Sequence, residues 1–453
     1  MVEGSAYPRV LVVTMGRINA SDSYNNAMLL RNTFGDWPRE NTAQIYSSGS
    51  TEDNGFFGQY YKLGPEDRRF GKLFYRLKGD VQSETAKDTE ASLSTAGRRP
   101  TLLSLAQRYV IETGLYELLF KPRISKRMKA WVEAFKPDIV LAQGYNLTFS
   151  ILPVLLKQFT SSKMAYYSSD DWPTYLYSGS MGEPRLFRWL VRPAVKRAVD
   201  RLLQETDIPF AFGQGMAEEY ATRFRKNFTV LYHADDPERF ANANPVRIHP
   251  VGVRTILAAG TFDQYRWPLL MDVDACCRIL REEGCPVRLA VVSSAIDPAG
   301  RAVLERASYV DLVPDPGHDL LPCYLKGADL LLISETFDAG VVSAIRLSIS
   351  SKAHLFMFSQ RPILVYSHPD AGIAKDAALR QWGRLVSQRD QALLREAIQT
   401  LLTNQEVASS SVRQGEATSR RFHSHQVNQH LFLTRVREAV SCADRANPVA
   451  PDR

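Results

Sequence analysis

SETFDAGVVSAIRLSISSKAHLFMFSQRPILVYS, from Ser334 to Ser367, places an acidic loop, several serines and a lysine between two short apolar runs. The runs are Ala328–Ile333 and Ile363–Tyr366, and both are rich in residues typical of buried strands. The apolar segment that follows Lys352 has the length of a helix. This order predicts a strand–helix–strand unit, the building block of a parallel sheet covered by helices.

The polar residues at the start of the predicted helix have the chemistry of an anion site. Ser350 and Ser351 are suited to cap the helix, and a helix N-terminus offers unpaired N–H groups to an anion. Lys352 adds a positive charge at the same end. Arg346, six residues earlier, predicts either a second positive charge for the anion or a structural salt bridge. We therefore predict that this end of the helix binds a phosphate or diphosphate.

The same stretch resembles the nucleotide-sugar half of the GT-B glycosyltransferases. In that family a strand, an acidic loop, a Ser-x-Lys helix start and a Gly-x-Pro-Ile-Leu-Val strand occur in the order seen here. In weaker form the resemblance runs from Arg9 to Val440. It implies a nucleotide-diphosphate sugar as the donor. The implied donor-binding residues are Lys352, Ser350, Ser351, Arg346, Asp338 and Gly260, the last at the end of a strand.

One position departs from the pattern of the retaining enzymes with this fold. Those relatives have a second Glu eight positions after the first, and this chain has Ser343 at that distance from Glu335. The chain therefore resembles a divergent branch, with Phe337-Asp338 and Arg346-Leu-Ser in this region. The resemblance implies a catalytic place for Glu335, while inversion and retention both stay open.

Length and composition indicate a globular protein of two domains. The chain has 453 residues, 45% of them hydrophobic and 23% charged, which fits two domains of roughly 200 residues each. No apolar run approaches the ~20 residues of a membrane span, and the start lacks the basic segment of a signal peptide. Five cysteines without paired spacing argue for a reducing compartment and against a zinc site. We therefore predict a cytoplasmic protein.

Alternating strand and helix signals occur in both halves of the chain. Short runs rich in Val, Ile, Leu and Tyr predict buried parallel strands joined by helices. These strands are Arg9–Thr14, Ala43–Ser48, Asp138–Gly144, Lys163–Ser169, Pro209–Phe212, Phe228–His233, Arg254–Gly260, Val287–Ser293, Tyr309–Val313, Ala328–Ile333, Ile363–Tyr366 and Gly383–Ser387. The predicted fold class is α/β, with two doubly wound Rossmann-like domains that face each other.

The predicted domain boundaries lie where these signals stop. The first domain spans residues 1–235 and includes an insertion at about 79–100 that is poor in apolar residues and therefore predicted to be mobile. The second domain spans 250–420, after a linker with prolines. In the resembling family a last helix, here 421–440, returns to the first domain, and a disordered tail, 441–453, follows.

The positive charge of the chain is concentrated in its first half. The net charge is +7, and residues 1–235 hold 31 basic and 25 acidic residues, against 25 and 24 in the remainder. Two basic segments lie there, Lys121–Lys129 and Arg185–Arg201, and Arg185, Arg188, Arg192 and Lys196 would share one helical face. They predict contact with an anionic membrane surface or a lipid diphosphate, or else an ordinary solvated face. No nucleic-acid motif accompanies them.

Two segments of the first half are candidates for the acceptor side. Gly16 and Asn19 follow the first strand, where a glycine allows a substrate to approach the backbone. Asp170 and Asp171 end another strand beside Trp172, and paired carboxylates there suit removal of a proton from an acceptor hydroxyl. The alternative for Asp171 is a helix cap. The resemblance implies a base or acceptor contact at a similar location.

These features together predict a glycosyltransferase. It would move a sugar from a nucleotide-diphosphate sugar to a hydroxyl of a lipid-linked or growing glycan at the cytoplasmic membrane face. No Asp-x-Asp-type site has a clear placement, so we expect no metal and no other cofactor. The alternatives are a sugar-nucleotide epimerase with the same two domains, and a non-catalytic relative that binds a partner or a membrane.

Overall fold

The computed structural model describes residues 7–22, 25–49, 55–72, 110, 115–168, 171 and 187–446. Within these ranges the strands form two parallel sheets. The strands of the first sheet are β1 (Val10–Val13), β2 (Thr42–Tyr46), β3 (Gln59–Lys62), β4 (Ile139–Ala142), β5 (Lys163–Tyr166), β6 (Ile208–Ala211) and β7 (Thr229–Val230). Those of the second are β8 (Arg254–Ala259), β9 (Val287–Val292), β10 (Val310–Val313), β11 (Leu330–Ser334), β12 (Ile363–Tyr366) and β13 (Arg384–Val386).

The strand order confirms the predicted fold class. The first sheet has the order β3-β2-β1-β4-β5-β6-β7 and the second the order β10-β9-β8-β11-β12-β13. Every predicted strand is present, and β3 is an addition. Its residues, Gln-Tyr-Tyr-Lys, lie at the edge of the sheet and two of the four are exposed, so a search for buried apolar runs does not detect it.

Helices cover the sheets. They are α1 (Asn25–Phe34), α2 (Leu115–Leu119), α3 (Lys126–Phe135), α4 (Leu147–Thr160), α5 (Arg192–Glu205), α6 (Gln214–Phe224), α7 (Pro237–Ala241), α8 (Trp267–Glu282), α9 (Pro298–Leu304), α10 (Leu321–Gly327), α11 (Ala339–Ile345), α12 (Ala353–Phe358), α13 (Gly372–Arg380), α14 (Gln391–Thr403), α15 (Gln405–Phe422) and α16 (His425–Ala446). Among the described residues, none of them combines the length and the apolar composition of a membrane span.

Each sheet reverses its strand order at one point, and ligands of open α/β sheets bind beyond the carboxyl ends of the strands there. In the first sheet β1 pairs with both β2 and β4, and in the second β8 pairs with both β9 and β11. Gly16 and Asn19 follow β1, Gly260 follows β8 and Glu335 follows β11. The candidate residues of both domains therefore lie on loops beside the reversal points.

The last helix, α16, packs against α1 and the first sheet. Phe432 is fully buried there, and its ring lies 5.4 Å from that of Phe34 and 5.1 Å from that of Phe210. The described part of α16 ends at Ala446, beyond the predicted start of the tail. The chain thus crosses back from the second sheet to the first through α15 and α16.

The second basic segment is not one continuous helix. Phe187–Val191 forms a π-helical turn, and α5 starts at Arg192 with Pro193 in its first turn. Proline lacks an N–H group, and its ring clashes with the carbonyl four residues earlier, so an α-helix cannot run through this point undisturbed. Arg192 and Lys196 lie four residues apart in α5, and the face that they are predicted to share with Arg188 stays a prediction. Arg185 and the predicted insertion at 79–100 lie outside the described residues.

Candidate active site

Lys352 and Gly260 meet at the carboxyl edge of the second sheet. Gly260 follows β8 with a φ of +125°, a conformation that favours glycine. A Cβ at this position would stand 2.6 Å from Nζ of Lys352 and closer still to its Cε, so the half-buried lysine side chain lies directly against the glycine backbone. The structure thus brings together two residues that were predicted separately to bind the donor.

Two carboxylates and a second cation surround this lysine. Glu335 is buried, and its Oε2 accepts a hydrogen bond from Nε of Arg266 at 2.8 Å. Arg266, at the start of α8, also forms an ion pair with Asp263 at 3.3 Å. The backbone N–H of Glu335 donates to the carbonyl of Tyr366 at 3.0 Å, which ties the loop after β11 to β12.

The charges around Lys352 act on its pKa in opposite directions. Burial lowers the pKa of Lys352, the charge of Glu335 opposes that shift, Arg266 adds to it and Asp263 opposes it. The result is a pKa below the ordinary value. An anion placed next to the amine would stabilise its charged form, as a phosphate of a donor would.

Arg266 is the residue of this cluster that the sequence analysis did not predict. An arginine at the start of an amphipathic helix has the pattern of an ordinary surface residue. The sequence indicates its role only through its position six residues after Gly260. That position becomes informative when the structure places Glu335 beside Arg266.

A cavity of about 390 Å³ opens next to this cluster, at the carboxyl ends of β9 and β10. Its walls combine apolar residues with Arg301 and Asp315. Ile296, one of the apolar residues, forms a β-bridge with Phe262, which follows Gly260 by two residues. The cavity and the lysine therefore lie side by side along one edge of the sheet.

The predicted helix cap in front of α12 differs from the structure. This helix has six residues, Lys352 occupies its N-cap position, and no side chain among the described residues caps it. Ser350 contributes its carbonyl, which accepts from the N–H of Ala353 at 3.0 Å. The prediction that Ser350 and Ser351 cap this helix through their side chains is therefore wrong, because the turn before it continues to Lys352. Their contact with a donor stays a prediction.

Asp338 caps a helix in the same region. Its Oδ1 accepts a hydrogen bond from the N–H of Val341 at 3.1 Å, at the start of α11. The side chain is exposed at the edge of the loop that holds Glu335. A donor contact of Asp338 stays a prediction, and such a contact would use the second carboxylate oxygen.

Arg346 contacts the first domain. Its guanidinium pairs with both carboxylate oxygens of Glu219 in α6, and this hydrogen bond raises the pKa of Arg346. The next residue, Leu347, is buried in the apolar cluster of the first domain, and Ile349 lies against Gly213, where a Cβ would stand 2.8 Å from its Cδ1. Of the two roles predicted for Arg346, the structure therefore favours a structural salt bridge over a second positive charge for the phosphates of the donor sugar.

Asp171 is fully buried beside this contact. The hydroxyl of Tyr220, also in α6, donates to its Oδ1 at 2.6 Å. The charge of Asp171 contributes to the raised pKa of Arg346, so the carboxylate lies near the domain interface. Asp170 is outside the described residues. A base role for either aspartate stays a prediction.

Gly16 and Asn19 form part of a hydrogen-bonded loop after β1. The carbonyl of Gly16 accepts from Oγ1 of Thr14 at 2.8 Å and from Nε2 of Gln44 at 2.9 Å. The N–H of Asn19 donates to Oδ2 of Asp22 at 2.7 Å. The loop is thus held in place at the carboxyl edge of the first sheet, where an acceptor is predicted to bind.

Comparisons with known proteins identify the fold. No family profile and no curated protein matches the chain, but solved structures do. The chain is similar to the alpha,alpha-trehalose 6-phosphate synthase of Burkholderia multivorans, with a TM-score of 0.61 and 12% identity over 99% of this chain and 100% of that one. It is similar to Anabaena HepE, solved in complex with UDP-glucose, with a TM-score of 0.57 and 10% identity over 96% and 100%. It is also similar to WaaG, a glycosyltransferase involved in lipopolysaccharide biosynthesis, with a TM-score of 0.54 and 11% identity over 93% and 98%.

The chain has the GT-B fold. The predicted resemblance is thereby confirmed at the level of the fold, and the likeness covers both domains. In the GT-B arrangement the cluster around Lys352 belongs to the second sheet and the loop around Gly16 to the first. No group of three or more His, Cys, Asp and Glu residues in the described ranges is placed to hold a metal ion. The expectation of a metal-independent site stays a prediction.

Proposed function

We propose that this GT-B protein is a glycosyltransferase that moves a sugar from a nucleotide-diphosphate sugar to a hydroxyl acceptor. The observation that carries the proposal is Lys352, held against Gly260 and beside Glu335 and Arg266 at the reversal point of the second sheet. A fixed cation there neutralises the charge that develops on a leaving diphosphate. The adjacent cavity has the apolar walls that a nucleobase needs.

The residues around the lysine have distinct proposed roles. Lys352 binds the diphosphate, and Glu335 stabilises positive charge that develops on the sugar ring as the bond to the diphosphate breaks. Asp170 or Asp171 removes the proton of the acceptor hydroxyl. For Asp171 this role requires its hydrogen bond with Tyr220 to open, because the carboxylate is otherwise buried.

The proposed acceptor is a lipid-linked or growing glycan at the cytoplasmic face of a membrane. Two observations support it. Lys121, Arg123, Lys126 and Lys129 of the first basic segment are exposed on the domain that carries the predicted acceptor side. WaaG, a protein of the same fold, is involved in lipopolysaccharide biosynthesis.

A thermal-shift panel tests the donor. UDP, GDP, ADP, dTDP and their common sugars are added to the wild type, to Lys352→Ala and to Lys121→Ala, which removes an exposed lysine of the first domain. A ligand at about 100 times its Kd stabilises the folded state by about 2.7 kcal/mol, which raises the melting temperature. We expect one nucleotide to stabilise the wild type and Lys121→Ala but not Lys352→Ala.

The same panel separates the alternatives. If no nucleotide shifts a cooperative melting transition, the proposed donor site is wrong and a non-catalytic role gains support. If a sugar nucleotide binds, analysis of its products decides the reaction: transfer or slow hydrolysis releases the nucleoside diphosphate, whereas an epimerase that returns an isomeric sugar nucleotide does not.

A further inference from the structure

Four large apolar side chains on neighbouring segments of the first domain are exposed, where a water-facing surface normally carries polar residues. Trp189 is 75% exposed, Phe70 62%, Leu119 53% and Leu190 38%. Single exposed apolar residues are common on proteins, but a tryptophan exposed to this extent together with three further apolar side chains marks an interaction surface.

These residues lie on neighbouring segments. Residues 67–71 run antiparallel to residues 121–123: the N–H of Arg69 donates to the carbonyl of Lys121 at 2.9 Å, and the N–H of Arg123 donates to that of Asp67 at 2.9 Å. Phe70 therefore lies next to the end of α2, which carries Leu119. The helix α2 also packs against the π-helical turn that carries Trp189 and Leu190.

Basic residues surround the apolar ones. Residues 62–72 and 115–130 contain nine basic and three acidic residues. Two of the acids, Asp67 and Glu117, are buried, and the third, Glu66, is paired with Arg127. Lys121 and Lys126 are exposed, and neither has an acidic partner within the described part of the chain. We call these segments, with the π-helical turn, the aromatic–basic surface.

The aromatic–basic surface adjoins the carboxyl edge of the first sheet. Glu117 of α2 accepts the N–H of Leu147 at 2.6 Å, and Nη1 of Arg68 donates to Oγ1 of Thr148 at 2.8 Å. Leu147 and Thr148 belong to the first turn of α4, which follows β4 at the reversal point. A partner bound to this surface would lie next to the predicted acceptor side.

We propose that the aromatic–basic surface docks on a bilayer that contains anionic phospholipids. Charge complementarity selects this partner: lysines and arginines bind anionic headgroups, while Trp189, Phe70 and Leu119 enter the interfacial region, where aromatic side chains with a polar edge are favoured. Docking would bring the acceptor side of the proposed glycosyltransferase close to a lipid-linked substrate. This purpose rests on the proposed function, but the docking itself does not depend on it.

Flotation of the full chain with vesicles tests the docking. Vesicles of phosphatidylcholine alone are compared with vesicles that contain phosphatidylglycerol, at low and at high salt. We expect binding to the anionic vesicles, weakened by salt. Lys121→Glu/Lys126→Glu should lower the affinity by roughly ten-fold or more, because each basic residue near the headgroups contributes roughly five-fold. Trp189→Ser should lower it by roughly ten-fold as well.

Matched variants on the second domain serve as controls. Arg306→Glu/Arg384→Glu changes the net charge equally at two exposed positions, and Val251→Ser removes an apolar side chain that is 91% exposed. Both should bind vesicles as the wild type does. Absence of binding to anionic vesicles at low salt overturns the proposal, as does equal loss in the control variants. A dimer in light scattering that Trp189→Ser converts to a monomer overturns it too, because the surface is then an interface between copies.

The nucleotide panel, run on the same variants, keeps the two proposals apart. Vesicle binding without any nucleotide shift would leave the docking standing and contradict the proposed function. A nucleotide-induced rise in melting temperature without vesicle binding would support the proposed function and contradict the docking.

Discussion

At the scale of single residues, Gly260 determines where Lys352 can lie. Gly260→Ala adds a methyl group that overlaps the lysine side chain, at a φ that favours glycine. We expect the free energy of unfolding to fall by about 1–2 kcal/mol. We also expect binding of the nucleoside diphosphate to weaken by roughly ten-fold or more, since a displaced cation loses its contact with the phosphates. Urea unfolding and titration calorimetry measure the two effects.

Gly252→Ala is the matched control for this prediction. Gly252 has a φ of +95°, and a Cβ there would have no neighbour within 4 Å. The free energy of unfolding of Gly252→Ala should fall by an amount similar to that of Gly260→Ala, but its affinity for the nucleotide should equal that of the wild type. Equal nucleotide affinity in both variants would show that the lysine does not depend on this glycine.

At the scale of elements, strands could be predicted from the sequence more reliably than the residues of the site. The strands β8, β11 and β12 are buried on both faces, so their composition alone identifies them. The edge strand β3 lacks that composition and was missed. The predicted capping of α12 by Ser350 and Ser351 was wrong, because a helix start depends on backbone angles that several serines and a lysine can all adopt.

The loop after α11 shows why the remaining site residues could not be assigned. Arg346 was predicted with two alternative roles, and the choice depends on where Glu219 of the other domain lies. Arg266 gains its role only from Glu335, which is distant in sequence. Contacts of this kind arise from the packing of domains and sheets, and no local pattern reports them.

The pairing of Arg346 with Glu219 can be measured by a double-mutant cycle. The variants are Arg346→Ala, Glu219→Ala and the combination. Both side chains are half-buried, so we expect a coupling of about 1 kcal/mol in the free energy of unfolding. The more exposed pair Arg420–Glu416 on α15 serves as the control, with an expected coupling of about 0.3–0.5 kcal/mol. A coupling near zero for Arg346 and Glu219, together with loss of nucleotide binding in Arg346→Ala, would instead support the role of a donor cation.

At the scale of the whole molecule, three histidines stack where the domains and the C-terminal helices meet. His233 follows β7, His354 lies in α12 and His423 follows α15, and consecutive ring centroids are 5.9 Å apart. Nδ1 of His423 donates to the carbonyl of His233 at 2.7 Å. Burial lowers the pKa of His233 to about 3 and that of His423 to about 4, and it lowers the pKa of His354 well below its ordinary value.

The stack makes the protein less stable in acid. The unfolded chain binds protons at these histidines below about pH 6.5, and the folded chain does not bind them until about pH 4, so the free energy of unfolding falls as the pH is lowered through this window. The slope is about 1.4 kcal/mol per pH unit for each histidine. Asp235, whose pKa burial raises to about 6, binds its proton in the folded state and offsets about one histidine.

His354→Phe tests the assignment because it keeps a stacked ring and removes one titrating group. Urea unfolding at a series of pH values from 7.5 to 5 should show a slope that is smaller by about 1.4 kcal/mol per pH unit below pH 6 and hardly changed above pH 7. His430→Gln, at an exposed position, should keep the wild-type slope. An unchanged slope in His354→Phe would mean that the stack does not cause the acid sensitivity.

The central claim is that the second sheet holds the diphosphate of a nucleotide sugar through Lys352. Titration calorimetry of the wild type and Lys352→Ala with a nucleoside, its monophosphate and its diphosphate tests this claim most directly. We predict that the wild type prefers the diphosphate over the nucleoside by roughly a hundred-fold, because charge-assisted contacts to phosphate are strong. Lys352→Ala should lose most of that preference while it still binds the nucleoside. A wild type that does not distinguish the three ligands, or a variant that keeps the full preference, would contradict the account.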